Sequence, residues 1–182
     1  MGRYRLERDK TALLVVDVQE RLLAAMEPAS RERLVKRTCA AIAGAKALGL
    51  PVVATEQYPK GLGPTVPEVK AALGEVRPVE KVVFSCALDE VMAQLGGREQ
   101  ILLAGMETHV CVFQTARDLA ERRLTPYLCS DAVLSRTAED RQVGLELCRE
   151  VGAVVTTVEA ALFDVLGRAG GPEFKAVSAA VK

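Results

Sequence analysis

The sequence predicts an α/β protein: a three-layer αβα sandwich on a six-stranded parallel sheet, Rossmann-like in type. Three observations predict it. Short β-branched apolar runs alternate with helical segments along the chain. The first of these runs is continuously apolar, as expected of a strand covered on both faces. Helices between the strands allow parallel crossover connections.

The elements follow in order. TALLVVDV (11 to 18) is the first strand. A long helix is predicted from Ser30, a capping residue, to Leu48, with Gly49 stopping it. LPVVATE is the second strand. QYPKGLGPTVPE carries three Pro and two Gly and reads as an ordered loop or lid. A short helix over Glu68 to Leu73 closes it. PVEKVVF is the third strand region, and ALDEVMAQLG is a helix ending at Gly96 and Gly97. EQILLAG is the fourth strand, and THVCVFQTARDLAERR the next helix. LTPYLCSDAV holds the fifth strand, about 124 to 129, with Asp131 at its end. TAEDRQVGLELCREVG is a helix stopped by Gly152. AVVTTVEA supplies the sixth strand, followed by a helix through Leu166. RAGGPEF breaks that helix and leaves a C-terminal tail. No repeat or linker divides the chain, so residues 1–182 read as one domain.

Composition excludes several function classes. Lys plus Arg is 24 and Asp plus Glu is 24, so the net charge is zero. No basic block favours nucleic acid or an anionic membrane. Aromatic residues are 4% and Trp is absent, which argues against base-stacking platforms. No window approaches the roughly 18 apolar residues of a membrane span. MGRYRLERDK is charged and reads as neither a secretory leader nor a myristoylation signal. Cys39, Cys86, Cys111, Cys129 and Cys148 are odd in number, widely spaced and free of any CxxC. They read as reduced thiols in a cytoplasm, not as a disulfide framework or a zinc pattern.

In parallel sheets ligands sit beyond the C-terminal strand ends. Three residues at such positions form a chemical set. Asp17 ends ALLVVD, Lys81 lies in the third strand region, and Cys111 opens a helix after the fourth strand. A helix N-terminus offers positive potential and free N–H groups. It lowers a thiol pKa, so a thiolate near neutral pH is expected. The same N–H groups can hold an oxyanion. A carboxylate can take the thiol proton and pass it to a leaving amine. Each residue alone also has a structural reading: a packed core thiol, a loop-anchoring Asp, a solvated edge Lys.

His109 is the only His, and two residues from Cys111 it cannot face it on a helix. It is expected to line the pocket, not to form a Cys–His dyad. One His also gives no basis for a transition-metal site. GLGPT at 61 to 65 lacks the context of a phosphate loop. Cys39, Cys129 and Cys148 read as core thiols, and Cys86 as a packed thiol near the pocket.

These residues together resemble the isochorismatase-like cysteine hydrolases, a superfamily that includes nicotinamidases and N-carbamoylsarcosine amidohydrolases. VVDVQ is similar to the family's first-strand motif, KVVFS to its lysine segment, and GMETHVCVFQTARDL to its nucleophile motif. ATEQYPKGLGPTVPE resembles the isochorismatase domain-containing subgroup. The resemblance spans about Thr11 to Leu166. It implies Asp17 as general base, Lys81 as the conserved lysine and Cys111 as nucleophile. It further implies a cis peptide at Met106–Glu107, with the N–H groups of Glu107 and Cys111 as oxyanion donors. Nicotinamidases carry an Asp-x-His metal motif where this chain has Glu56, Gln57 and Tyr58, so no metal and no cofactor are expected. Isochorismatases proper lack the nucleophilic Cys, so Cys111 implies acyl or amide chemistry.

The expected function is hydrolysis of a small-molecule amide or related C–N substrate through a thioester. Gln19, Gln57, Tyr58, Phe84 and His109 are expected to shape the pocket. No nucleic acid or membrane partner is expected. A homo-oligomer is, dimer or tetramer, with FKAVSAAV of the tail as a candidate interface. Two alternatives keep the fold without the hydrolysis: an interaction protein, and a redox-sensing thiol protein that pairs Cys111 with Cys86.

Overall fold

The computed structural model describes residues 4–182. The first three residues of MGRYRL, and the leader and myristoylation readings that rest on them, lie outside the described residues.

Six strands form one sheet: β1 (Thr11–Val16), β2 (Val52–Gln57), β3 (Val79–Lys81), β4 (Gln100–Met106), β5 (Thr125–Leu134) and β6 (Val154–Thr156). Their order is β3-β2-β1-β4-β5-β6, and every neighbouring pair is parallel. The chain winds outward from β1 to β3, crosses back to β4 beside β1, and winds outward again. The reversal lies between β1 and β4, where a parallel sheet opens a crevice at its C-terminal edge.

Both faces of the sheet are covered. Leu13 and Val15 of β1 point to one side, with Leu102 and Ala104 of β4. That side is closed by α2 (Pro28–Ala47), α4 (Pro67–Leu73), α8 (Val158–Leu166) and α9 (Gly171–Val181). Ala12, Leu14 and Val16 point to the other, with Ile101 and Leu103. There the cover is α5 (Asp89–Gln94), α6 (Phe113–Glu121) and α7 (Ala138–Glu150). The period-2 alternation of a strand persists, though both of its sides are apolar.

Several expected boundaries move, each for a local reason. The long helix starts at Pro28 with Glu27 as its N-cap, because Pro is preorganised for the first helical position. Ser30 lies inside the first turn. The third strand stops at Lys81, since the apolar run Val82–Phe84 pairs with nothing and leaves the sheet edge exposed. The fifth strand runs on to Leu134, so Asp131 lies within it and not at its end. Its carboxylate accepts from the Val158 N–H at 2.8 Å and fixes the start of α8. The C-terminal tail is helix α9: Val177 and Val181 are buried and α9 packs on α2. Its apolar residues are therefore used within the fold. Two short helices lie outside the expected elements: α1 (Glu20–Ala24), made of good helix formers, and α3 (Pro59–Leu62).

One glycine sets the approach of the two central strands. Gly105 pairs with Val16 and has φ +123°, and a Cβ there would sit 1.9 Å from the Val16 carbonyl oxygen. Only a residue without a side chain allows β4 this close to β1 one residue before Asp17. Gly105→Ala is expected to cost roughly 3 kcal/mol or more of stability, read as a lowered urea midpoint at unchanged slope.

Candidate active site

Asp17 follows the last residue of β1, and its φ of +50° is unusual for a non-glycine residue. The preceding six residues are fully buried, so the carboxylate emerges into the interior. A buried charge there requires a partner. Lys81 supplies it from two strands away, its long side chain crossing the end of β2. Lys81 Nζ lies 2.6 Å from Asp17 Oδ2, with both side chains wholly buried. The same ammonium donates to Gln57 Oε1 at 2.8 Å and to the Phe84 carbonyl at 3.0 Å, with the Val83 carbonyl at 3.3 Å. Its three protons are thus satisfied. Asp17 Oδ1 accepts from Thr55 Oγ1 at 2.7 Å. Burial works against the Lys81 charge, but the facing Cys86, Asp17 and Cys111 groups outweigh it and raise its pKa.

Cys111 reaches the pair from the other side of the β1–β4 crevice. The Met106–Glu107 peptide is cis. Beyond it the chain does not enter an α-helix directly but makes one π-helical turn, Thr108–Val112, before α6. The Glu107 carbonyl accepts from Val110 N and Val112 N at 3.1 Å each. The Cys111 N–H, between them, makes neither bond. Such π turns recur at functional sites. The turn is wedged against α7 at Gly144, where a Cβ would sit 2.7 Å from the backbone of Thr108 and His109.

Cys111 is 6% exposed. Its thiol is pushed up to about 12, first by burial and then by the Asp17 carboxylate, which also accepts its hydrogen bond; Lys81 pulls it down without prevailing. The expected thiolate near neutral pH is therefore corrected. With Asp17 and Lys81 already neutralising each other, a thiolate would add an unpaired charge to a dry site. The resting form is S–H directed at a carboxylate.

The structure brings Asp17, Lys81 and Cys111 together, and adds residues the sequence did not single out. Thr55 orients Asp17 and lies 3.4 Å from Cys86 Sγ. Cys86 is fully buried, and burial pushes its thiol up to about 11. The Cys86 N–H donates to Thr115 Oγ1 at 2.8 Å, and that hydroxyl donates to the Cys111 carbonyl at 2.6 Å. A polar Thr inside the apolar run VVATE was the one available signal.

The expected pocket residues separate into groups. Gln19 is fully buried and staples two strand ends: its Oε1 accepts from Gln57 N at 2.7 Å, and its Nε2 donates to the Gln57 and Gly63 carbonyls. Gln57 holds Lys81 and donates to the Val82 carbonyl. These two amides clamp the site through bonds within the chain. Tyr58 has φ +36° and is 53% exposed. It lines a cavity of about 540 Å³ with Pro59, Val82, Val83 and Lys81. Phe84 touches Lys81 through its carbonyl, while its ring is 51% exposed. His109 turns away to Ser135 Oγ, 3.0 Å from its Nδ1. Glu56, in the place of the metal motif, accepts from both Thr65 N and Thr65 Oγ1 at 2.6 Å.

Comparison with known proteins agrees with this arrangement of fold and motifs. The isochorismatase domain matches residues 11–160. The chain belongs to the isochorismatase family. It is 39% identical over 187 residues to the secreted isochorismatase effector Isc1 of Phytophthora sojae, covering 98% of this chain and 87% of that protein. Isochorismatase domain-containing protein 2A of Mus musculus is 35% identical over 181 residues, covering 98% and 85%. Among solved structures, one described as MAR1 ribonuclease from Caenorhabditis elegans superposes with a TM-score of 0.91 at 35% identity, covering 97% of this chain and 92% of that one. The family's sheet is thus the six-stranded parallel sheet described above.

Two outcomes follow from the site's electrostatics. Lys81→Met strands a buried carboxylate and is expected to cost about 3–5 kcal/mol. Asp17→Asn combined with Lys81→Met removes both charges and should recover part of that loss, as a double-mutant cycle in urea would show. The second outcome concerns alkaline pH. Cys86 and Cys111 keep their protons in the fold to about 11 and about 12, while unfolded thiols lose them from about 9. The fold's preference is fully present below pH 9 and is lost as pH rises beyond it. Unfolding midpoints should hold up to that point and then fall, by roughly 1.4 kcal/mol per unit for each such thiol.

Proposed function

We propose that this protein is a cysteine hydrolase that cleaves a small amide or related C–N bond through a Cys111–Asp17–Lys81 triad. The observation that carries the reading is the buried Cys111 thiol beside Asp17, whose carboxylate Lys81 Nζ meets at 2.6 Å. That is the starting state of a nucleophile activated by a general base.

The reaction balances within these groups. The Cys111 proton passes to Asp17 as sulfur bonds to the substrate carbonyl carbon. The negative charge goes to the carbonyl oxygen, held by the N–H groups of Glu107 and Cys111. As the C–N bond breaks, Asp17 returns the proton to the leaving nitrogen and a thioester remains. Water, deprotonated by Asp17, attacks the thioester, and the acid leaves with Cys111 again protonated. Lys81 carries positive charge throughout, so the site is never left with an unbalanced anion.

Residues 1–182 act in this reading as a single hydrolase domain with no cofactor, on a small-molecule substrate. The ribonuclease description of the C. elegans structure brings a second substrate class. Equal numbers of acidic and basic residues and a nucleophile only 6% exposed favour the small molecule. The scaffold alternative leaves a buried ion pair without a task. The redox alternative meets thiols that are buried and raised, whereas sensor thiols are exposed and of low pKa. Free cysteines support a reducing, cytoplasmic compartment, and no helix among the described residues is long and apolar enough to cross a membrane. The exposed strip Val82–Phe84 with Tyr58 supports self-association better than the tail does.

Slow alkylation of Cys111 near pH 7 is expected whether or not the protein is an enzyme, so acyl trapping is the discriminating measurement. A panel of small amides, carbamoyl compounds and vinyl ethers is to be followed by mass spectrometry for an adduct on Cys111. Cys111→Ala should abolish turnover and adduct, and Asp17→Asn should lower turnover about 10²–10⁴-fold. Full activity of Cys111→Ala on an identified substrate would end the proposal.

A further inference from the structure

A second feature lies at the far side of the sheet's C-terminal edge, apart from Cys111. The starts of the two longest helices covering β5, α2 and α7, meet there over a cavity of about 220 Å³. Glu27 and Ser30 line it from α2, and Thr137 and Ala138 from α7. Three guanidinium groups also line it: Arg33, Arg136 and Arg141. We propose that this cavity is a binding site for a small oxyanion of the phosphate type.

The charges not already paired come to one positive, Arg33 and Arg141 against Glu27. Arg136 is engaged by Glu107, its Nε 3.1 Å from Oε2. The cavity's Asp131 is engaged by Arg37, 3.4 Å away, and by the Val158 N–H. Arg33 and Arg141 remain. Neither has a carboxylate within ion-pair distance among the described residues. Arg141 donates only to neutral carbonyls, those of Val133 and Ser130, which orient its guanidinium without neutralising it. The Arg33 side chain is exposed. Burial and then repulsion by Arg33 lower the Arg141 pKa, against the pull of Asp131. An anion between the two guanidinium groups relieves that repulsion.

The backbone adds to this. Helix N-termini present unbonded N–H groups and partial positive charge. The α7 cap, Thr137 Oγ1, accepts from Asp140 N and leaves the amide of Ala138, which lines the cavity, outside that bond. Asp140 itself turns back to Thr137 Oγ1 at 2.8 Å, away from an anion's place. Glu27 is the one acid of the cavity whose only close partner is a hydroxyl, Ser30 Oγ at 3.2 Å. It competes with an incoming anion and sets a ceiling on affinity.

The test is titration of inorganic phosphate into ¹⁵N-labelled protein, with chloride withdrawn to hold ionic strength constant. Saturable shifts are expected at the amides of Arg136 to Asp140. Arg33→Ala should weaken binding about tenfold, the loss of one charge-assisted contact. Glu27→Gln should tighten it. The Arg33 side chain is exposed, so this variant reports on binding even where Arg141→Gln fails to fold. Non-saturating shifts, shifts that chloride reproduces, or equal affinities in the parent, Arg33→Ala and Glu27→Gln would overturn the site. Acetate binding as tightly as phosphate would overturn its assignment to a phosphate-type oxyanion.

Discussion

The Lys81–Asp17 ion pair constrains everything around it. Two charges held at 2.6 Å without solvent are tolerable only when every remaining proton and lone pair is satisfied. Gln57 and Thr55, both of β2, and the Phe84 carbonyl meet that demand. Gln57 is in turn fixed by Gln19, whose amide ties the end of β1 to the end of β2 and to the 59–65 loop. Three strand ends and a loop are thereby locked in one arrangement by a single buried charge requirement. The sheet creates the crevice, and the ion pair determines what can stand in it.

The third member of the cluster inherits its chemistry from that pair. A thiol beside an isolated lysine would ionise readily. A thiol beside a lysine already neutralised by Asp17 does not, and burial then pushes Cys111 up to about 12. In the reaction proposed above, the nucleophile is therefore generated during the reaction and not stored beforehand. This separates the site from thiolate-storing enzymes, in which a helix N-terminus and a cation act without a competing carboxylate. The π turn also matters here. Its bonds to the Glu107 carbonyl come from Val110 and Val112, and the Cys111 amide stays out of both.

Much of this was legible in the sequence, for physical reasons. Continuous apolar runs and crossover-length spacers leave few topologies other than a parallel sheet, and Asp17, Lys81 and Cys111 all stand at strand ends on such a sheet. What was not legible depends on three-dimensional neighbours. The Cys111 pKa was misjudged because its sign depends on whether Lys81 is already paired. Gln19 and Gln57 read as pocket residues because a glutamine's partner cannot be read from its position. The strand expected over 78 to 84 ended at Lys81 because an apolar pattern does not reveal the absence of a pairing strand. Helix α9 was missed because the Gly-Gly-Pro break before it signals a stop, while its buried face, Val177 and Val181, depends on α2.

That unpaired segment connects the cluster to the surface. The carbonyls of Val83 and Phe84 complete the shell of Lys81, yet the side chains of Val82, Val83 and Phe84 are 76%, 50% and 51% exposed. One short stretch of backbone thus serves a wholly buried charge on one side and carries an apolar strip on the other. It pairs with no strand, and the bonds its carbonyls accept from Gln57 and Lys81 hold it in place. Displacing it would strip acceptors from Lys81 at a site that cannot admit water cheaply. The ion pair therefore favours whatever keeps the segment still. A partner covering the strip would do so by burying its apolar side chains.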